Sequence, residues 1–161
     1  MPASRFYGRS RARSQALQLL FQAEVTERPV GELLTSGYVV SDVDPLDGAD
    51  VPTLVGGVAQ SEDDVPLDEY ARELALGADA MRDELDAIIG KSSKNWTVDR
   101  MPLVDRNLLR LAIYEMLKVD EVAIAVSIDE SVELAKAYGT DESSRFINGL
   151  LGRIAHEIEG A

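Results

Sequence analysis

The stretch from Leu103 to Ile154 constrains the fold more than any other part of the chain. Val104, Leu108, Leu111, Ala112 and Met116 recur there at spacings of three and four, which places them on one helical face. Ser127-Ile128-Asp129-Glu130 reads as a capping box, in which serine and glutamate side chains satisfy backbone donors at a helix start. Gly139 is expected to end that helix in the left-handed conformation that costs glycine nothing. Thr140 opens the next helix, with Asp141 and Glu142 set to complement its positive dipole end. Three helices in so short a stretch leave little room for strands, so the segment predicts a small helical bundle.

The rest of the chain extends this all-α reading. From Arg9, a helix places Ala12, Ala16, Leu20 and Ala23 on one face, broadened by Leu17, Leu19 and Phe21. Arg11, Gln15, Gln18 and Gln22 line up on another face as a stripe of long polar side chains. Pro29 breaks this helix, and Val30 to Tyr38 can form a short second one. Residues 39–63 hold prolines and paired glycines too frequent for a long helix, and they read as an acidic surface insertion. Leu67, Tyr70, Ala71, Leu74, Ala78, Met81, Leu85, Ile88 and Ile89 predict one long amphipathic helix. The polar run Gly90 to Asn95 then breaks the pattern. The division expected is an N-terminal helical subdomain over residues 1–92, with a basic arm and the acidic insertion, and a C-terminal three-helix subdomain over 93–161.

Charge is distributed unevenly. The net charge of −13 argues against non-specific nucleic-acid binding by the whole surface. Residues 1–23 nevertheless carry Arg5, Arg9, Arg11 and Arg13 and no acid, whereas residues 40–70 carry acids and no Lys or Arg. A basic tip on an acidic body suggests a localised anionic partner. No apolar run approaches the roughly 18 residues needed to span a bilayer. The absence of cysteine removes disulfides and thiolate metal sites, so a cytoplasmic protein is expected.

Enzyme signatures are missing. Gly56 and Gly57 lie in the acidic insertion with no following lysine, unlike a phosphate-binding loop. The sole histidine, His156, cannot form a His–His metal pair and reads as a helix-surface residue. Glu130 and Glu133 share a helix face, the usual arrangement of solvated acids. An aromatic content of 6% offers no obvious platform for stacking bases. No catalytic residue, metal or cofactor is expected.

Four segments together resemble the NusB family of bacterial transcription antitermination factors: RARSQALQLLF at 11–21, LLRLAIYE at 108–115, VSIDESVELAKAYG at 126–139 and RFINGLL at 145–151. Their order and spacing carry the resemblance over nearly the whole chain. It implies an all-α fold of two packed three-helix subdomains. It also implies binding of the boxA element of ribosomal RNA leaders as single-stranded RNA, together with NusE, a small-subunit ribosomal protein, within an RNA polymerase antitermination complex. Self-association through the RNA-binding face, giving a homodimer, is a further property of some relatives. On this reading Arg9, Arg11 and Arg13 would pair with phosphates, and Gln15 and Gln18 would read base edges. Arg145, Phe146 and Asn148 would form a second part of the RNA surface, which Lys91 and Lys94 could extend. Asp105, with Arg106 and Arg110 on nearby turns, would face NusE. The reading from another class is a helical protein-interaction module without direct RNA binding.

Overall fold

The computed structural model describes residues 9–41, 65–94 and 96–160, so the arm at 1–8 and most of the acidic insertion lie outside the described residues. Among the described residues the regular elements are all helical. None of these helices is long and apolar enough to cross a membrane. Two compact units follow one another along the chain, Met1–Asp79 and Ala80–Ala161.

The first unit contains α1 (Ser10–Thr26), α2 (Val30–Ser36) and α3 (Glu69–Ala80). Every residue of α1 from Ala12 to Ala23 is buried, the three glutamines of its polar stripe included. The helix ends at Glu27 in the left-handed region, φ 55° and ψ 41°, where the Arg28 amide returns to the Ala23 carbonyl at 2.9 Å. That wrap-around bond serves one of the carbonyls a helix end leaves open. Asp79, at the far end of α3, caps α2 by accepting the Val30 amide at 3.0 Å.

The single long helix expected over 67–89 is two helices. It breaks at Met81, whose ψ of 13° is not helical, and α4 (Arg82–Ser92) starts afresh in the second unit. Asp83 and Glu84 sit in the first turn of α4 and complement its own dipole, a start signal that the continuous apolar stripe conceals. The two units therefore divide one helix earlier in the chain than the expected 92/93 boundary.

The second unit is built around α5 (Leu103–Lys118), which packs against α4, α6 (Ile124–Tyr138) and α7 (Asp141–Gly160). Leu108, Leu111, Ala112 and Met116 are buried as the spacing requires, and Leu109 and Ile113 on the remaining sides are buried as well. A helix covered all round must satisfy its polar side chains internally. One polar residue of α5 reaches each neighbouring helix. Arg110 pairs with Asp86 of α4, Glu115 accepts the Ser127 hydroxyl of α6 at 2.7 Å, and Asp105 accepts the Ser143 hydroxyl of α7.

This arrangement overturns the capping box. The helix begins a turn earlier, at Ile124 with Ala123 as its cap, so Ser127 lies inside α6 and turns its hydroxyl toward Glu115. Gly139 does end α6, but at φ −111°, outside the left-handed region. Its lack of a side chain matters for space instead. A Cβ there would stand 2.9 Å from the Ala135 carbonyl oxygen and 3.0 Å from the Ser143 Cβ. Thr140 caps α7 as expected, its hydroxyl oxygen accepting the Ser143 amide at 3.1 Å.

Candidate nucleic-acid interface

The arginines of the basic N-terminal cluster differ in exposure. Arg11 is exposed on α1. The Arg9 guanidinium lies over the Tyr70 ring at 3.7 Å from its centroid, a cation–π contact that ties the start of α1 to α3. Arg13 is buried, with its guanidinium 5.9 Å from the same ring, and does not offer its fork to a phosphate in this conformation.

Gln15 and Gln18, the two expected to read base edges, are engaged inside the first unit together with Gln22. Gln15 donates to the carbonyls of Ser41 at 3.2 Å and Pro66 at 3.3 Å, and accepts the Asp68 amide at 2.9 Å. Gln18 accepts the Ser41 amide at 2.8 Å. Gln22 donates to the Val39 carbonyl at 2.6 Å and accepts its amide at 3.1 Å. A primary amide carries the same donor and acceptor as a peptide group, so it can partner irregular backbone much as a strand would. The stripe thus holds the described start of the acidic insertion, at Val39 and Ser41, and the segment that follows the insertion, at Pro66 and Asp68, and both Gln15 and Gln18 are buried in doing so.

On α7 the residues expected at the RNA surface differ in exposure. Ile147, Leu150, Leu151 and Ile154 are buried on one side, while Arg145 and Asn148 are exposed one turn apart on the other. Phe146 is half-buried and meets Trp96 edge to face, with ring centroids 5.0 Å apart and planes at 68°. Trp96 was not among the expected site residues. It sits in the connection between α4 and α5, and no local spacing relates it to Phe146. His156 is exposed on α7, and Lys91 and Lys94 are exposed at the end of α4.

The three residues expected at the protein partner's surface are engaged within the second unit. Arg110 is locked to Asp86 by bonds of 2.7 and 2.9 Å and to Asn107 by one of 3.0 Å. Arg106 is half-buried, and its Nη1 donates to the carbonyls of Asp99 and Met101, both at 3.1 Å. Asp105 is 3% exposed, and its Oδ1 meets no hydrogen-bond partner among the described residues. Asp105 and Arg110 are buried because α5 is the central helix of its unit and these polar groups point at neighbouring helices, whereas Arg106 keeps part of its surface exposed.

Burial raises the Asp105 carboxyl above its ordinary value of 3.8, against the opposing effect of the Ser143 hydrogen bond. Between the ordinary and the raised pKa the folded protein holds a proton that the unfolded chain has lost, so stability falls as pH rises through that window. Asp105→Asn keeps an acceptor for Ser143 and removes the buried charge. The variant should be more stable than the natural chain at neutral pH, with the advantage shrinking to nothing as pH falls below the ordinary carboxylate range. Urea unfolding across pH measures this, and a difference independent of pH would refute it.

Comparison with known proteins gives these features a family. The chain matches the NusB family model over residues 10–156. It is 44% identical over 155 residues to the transcription antitermination protein NusB of Salinispora tropica, covering 96% of each chain. The corresponding protein of Streptomyces coelicolor is 41% identical over 150 residues, 91% of each chain. Among solved structures, T. maritima NusB is similar with a TM-score of 0.69 at 33% identity, covering 92% of this chain and 91% of that one. A crystal structure of antitermination factors NusB and NusE in complex with dsRNA is similar with a TM-score of 0.65 at 26% identity, covering 91% of this chain and 94% of that one. With a family match spanning both compact units and relatives of the same length, the chain belongs to the NusB family of transcription antitermination proteins.

Proposed function

We propose that the protein is an RNA-binding transcription antitermination factor that binds the boxA element of ribosomal RNA leaders together with NusE and acts on RNA polymerase in the cytoplasm. Membership of the NusB family along nearly the whole chain carries this reading. The similar NusB–NusE complex with dsRNA supports it. Arg145 supplies a planar fork suited to a phosphate, and Asn148, one turn on, supplies an amide suited to a base edge. Arg11 adds an exposed charge from α1. With a net charge of −13, the remaining surface repels a polyanion and confines binding to such local groups.

The test is a polarisation titration of labelled boxA RNA across salt, with and without NusE, and with a duplex of the same sequence as a competitor. Affinity should rise with NusE, and the single strand should bind more tightly than the duplex. Replacing both Arg11 and Arg145 by alanine should weaken binding at low salt. For each phosphate that thereby goes without its arginine, the slope of log K against log salt should fall by about 0.7. No binding by the natural chain at low salt, with or without NusE, would refute the reading. Tighter binding of the duplex would refute its single-strand component.

A further inference from the structure

We propose that Trp96, mounted against Phe146, is a stacking platform for an unstacked base of single-stranded RNA; the inference rests on the RNA-binding reading above. Fifty positions apart in sequence, the two rings meet at 5.0 Å in an edge-to-face pair. In such a pair the ring giving its edge keeps both faces clear of its partner, and the ring giving its face keeps one. Either way, at least one face of the indole is left uncovered by Phe146. Trp96 is 37% exposed in a unit whose other large apolar side chains are half-buried or buried.

The mount is rigid. The Ser93 hydroxyl donates to the Trp96 carbonyl at 2.6 Å, and the Ser93 amide is itself bonded to the Ile89 carbonyl at the end of α4. Beyond Trp96, the Thr97 hydroxyl hydrogen-bonds the Asp99 carboxylate and holds it below its ordinary pKa. Arg106 then clasps the Asp99 and Met101 carbonyls from α5. An indole whose backbone is tied on both sides and whose ring already meets Phe146 has less freedom to lose when a flat ligand settles on it.

The surroundings distinguish a base from an apolar protein side chain. Exposed chain neighbours of the two rings are polar or charged: Lys94 and Thr97 beside Trp96, and Arg145 beside Phe146. A protein docking patch has an apolar centre, whereas isolated rings with adjacent cations are the makings of a single-strand site. Exposed acids Asp99 and Glu142 lie on the same segments. They disfavour a phosphate over the rings themselves and leave the base as the group that stacks there.

Trp96 is the only tryptophan in the chain, so its emission reports this one position. Titrating the full-length protein with unlabelled boxA RNA, in the presence of NusE, should quench that emission along the same saturation curve that polarisation gives with labelled RNA. NusE alone is the control titration. Trp96→Leu should weaken RNA binding by roughly five- to a hundred-fold, and Trp96→Phe should restore most of the loss. RNA binding with no change in emission, and with Trp96→Leu equal to the natural chain, overturns the platform and leaves the general RNA reading standing. Emission that responds to NusE and not to RNA overturns it in favour of a protein contact. Absence of RNA binding by the natural chain under any condition overturns both readings. The wild-type quenching result decides the matter even where the leucine variant fails to fold.

Discussion

Arg110→Ala should destabilise the second unit by about 3–5 kcal/mol, the usual cost of removing one partner from a buried ion pair. The Arg110 side chain is 4% exposed, and its Nε and Nη2 grip both Asp86 oxygens while Nη1 reaches Asn107. Alanine would strip α4 and α5 of this cross-link and leave the Asp86 carboxylate without its counter-charge. Asp86 keeps 27% of its side chain in water, which moves the expected loss toward the lower end of the range. Arg110→Lys should recover only part of it, because an ammonium cannot reproduce the two-pronged geometry. Urea denaturation of Arg110→Ala, Asp86→Ala and the double variant gives the coupling between the two groups. In thermal unfolding, each kcal/mol corresponds to about 2–4 °C for a chain of this size. Should Arg110→Ala unfold like the natural chain and lose only its affinity for NusE, Arg110 would be a partner contact and its internal role would be refuted.

Arg110 illustrates what could and could not be read from sequence. The helix carrying it was legible from apolar spacing alone, as were the buried positions Leu108, Leu111 and Met116. Spacing arguments send the remaining polar residues to solvent, which is correct only for a helix covered on one side. Helix α7 is such a helix; there the Thr140 cap forms as expected, and Arg145 and Asn148 are exposed opposite the buried Ile147, Leu150 and Ile154. Helices α1 and α5 are covered all round. Their polar residues find partners far along the chain: Arg110 with Asp86 at a separation of 24, and Gln15 with Asp68 at 53. No local pattern encodes such pairs. The same limitation hid Trp96, whose relation to Phe146 exists only once α7 has folded beside the connection that carries the indole. It also produced the false capping box, because Ser127 and Glu130 have the right spacing for a cap but Ser127 answers to Glu115 on another helix.

The glutamine stripe yields the second large effect, and with it a clean separation of structure from recognition. Gln18→Leu keeps the bulk of the side chain but leaves the buried Ser41 amide without its acceptor, which should cost about 1–3 kcal/mol. Gln15→Leu removes partners from the Asp68 amide and from the Ser41 and Pro66 carbonyls and should cost a similar amount. The double variant should lose less than the sum. Both glutamines hold Ser41, one through its amide and the other through its carbonyl, so releasing either lets that segment move and weakens what the second can still contribute. Chemical denaturation of the two single variants and the double measures all three quantities. RNA affinity supplies the contrast. Under conditions where the variants remain folded, Gln15→Leu and Gln18→Leu should bind boxA RNA much as the natural chain does, because their amides are buried against partners inside the first unit. Unchanged stability together with a collapse of RNA affinity would restore these glutamines to the role of base readers and refute the structural one.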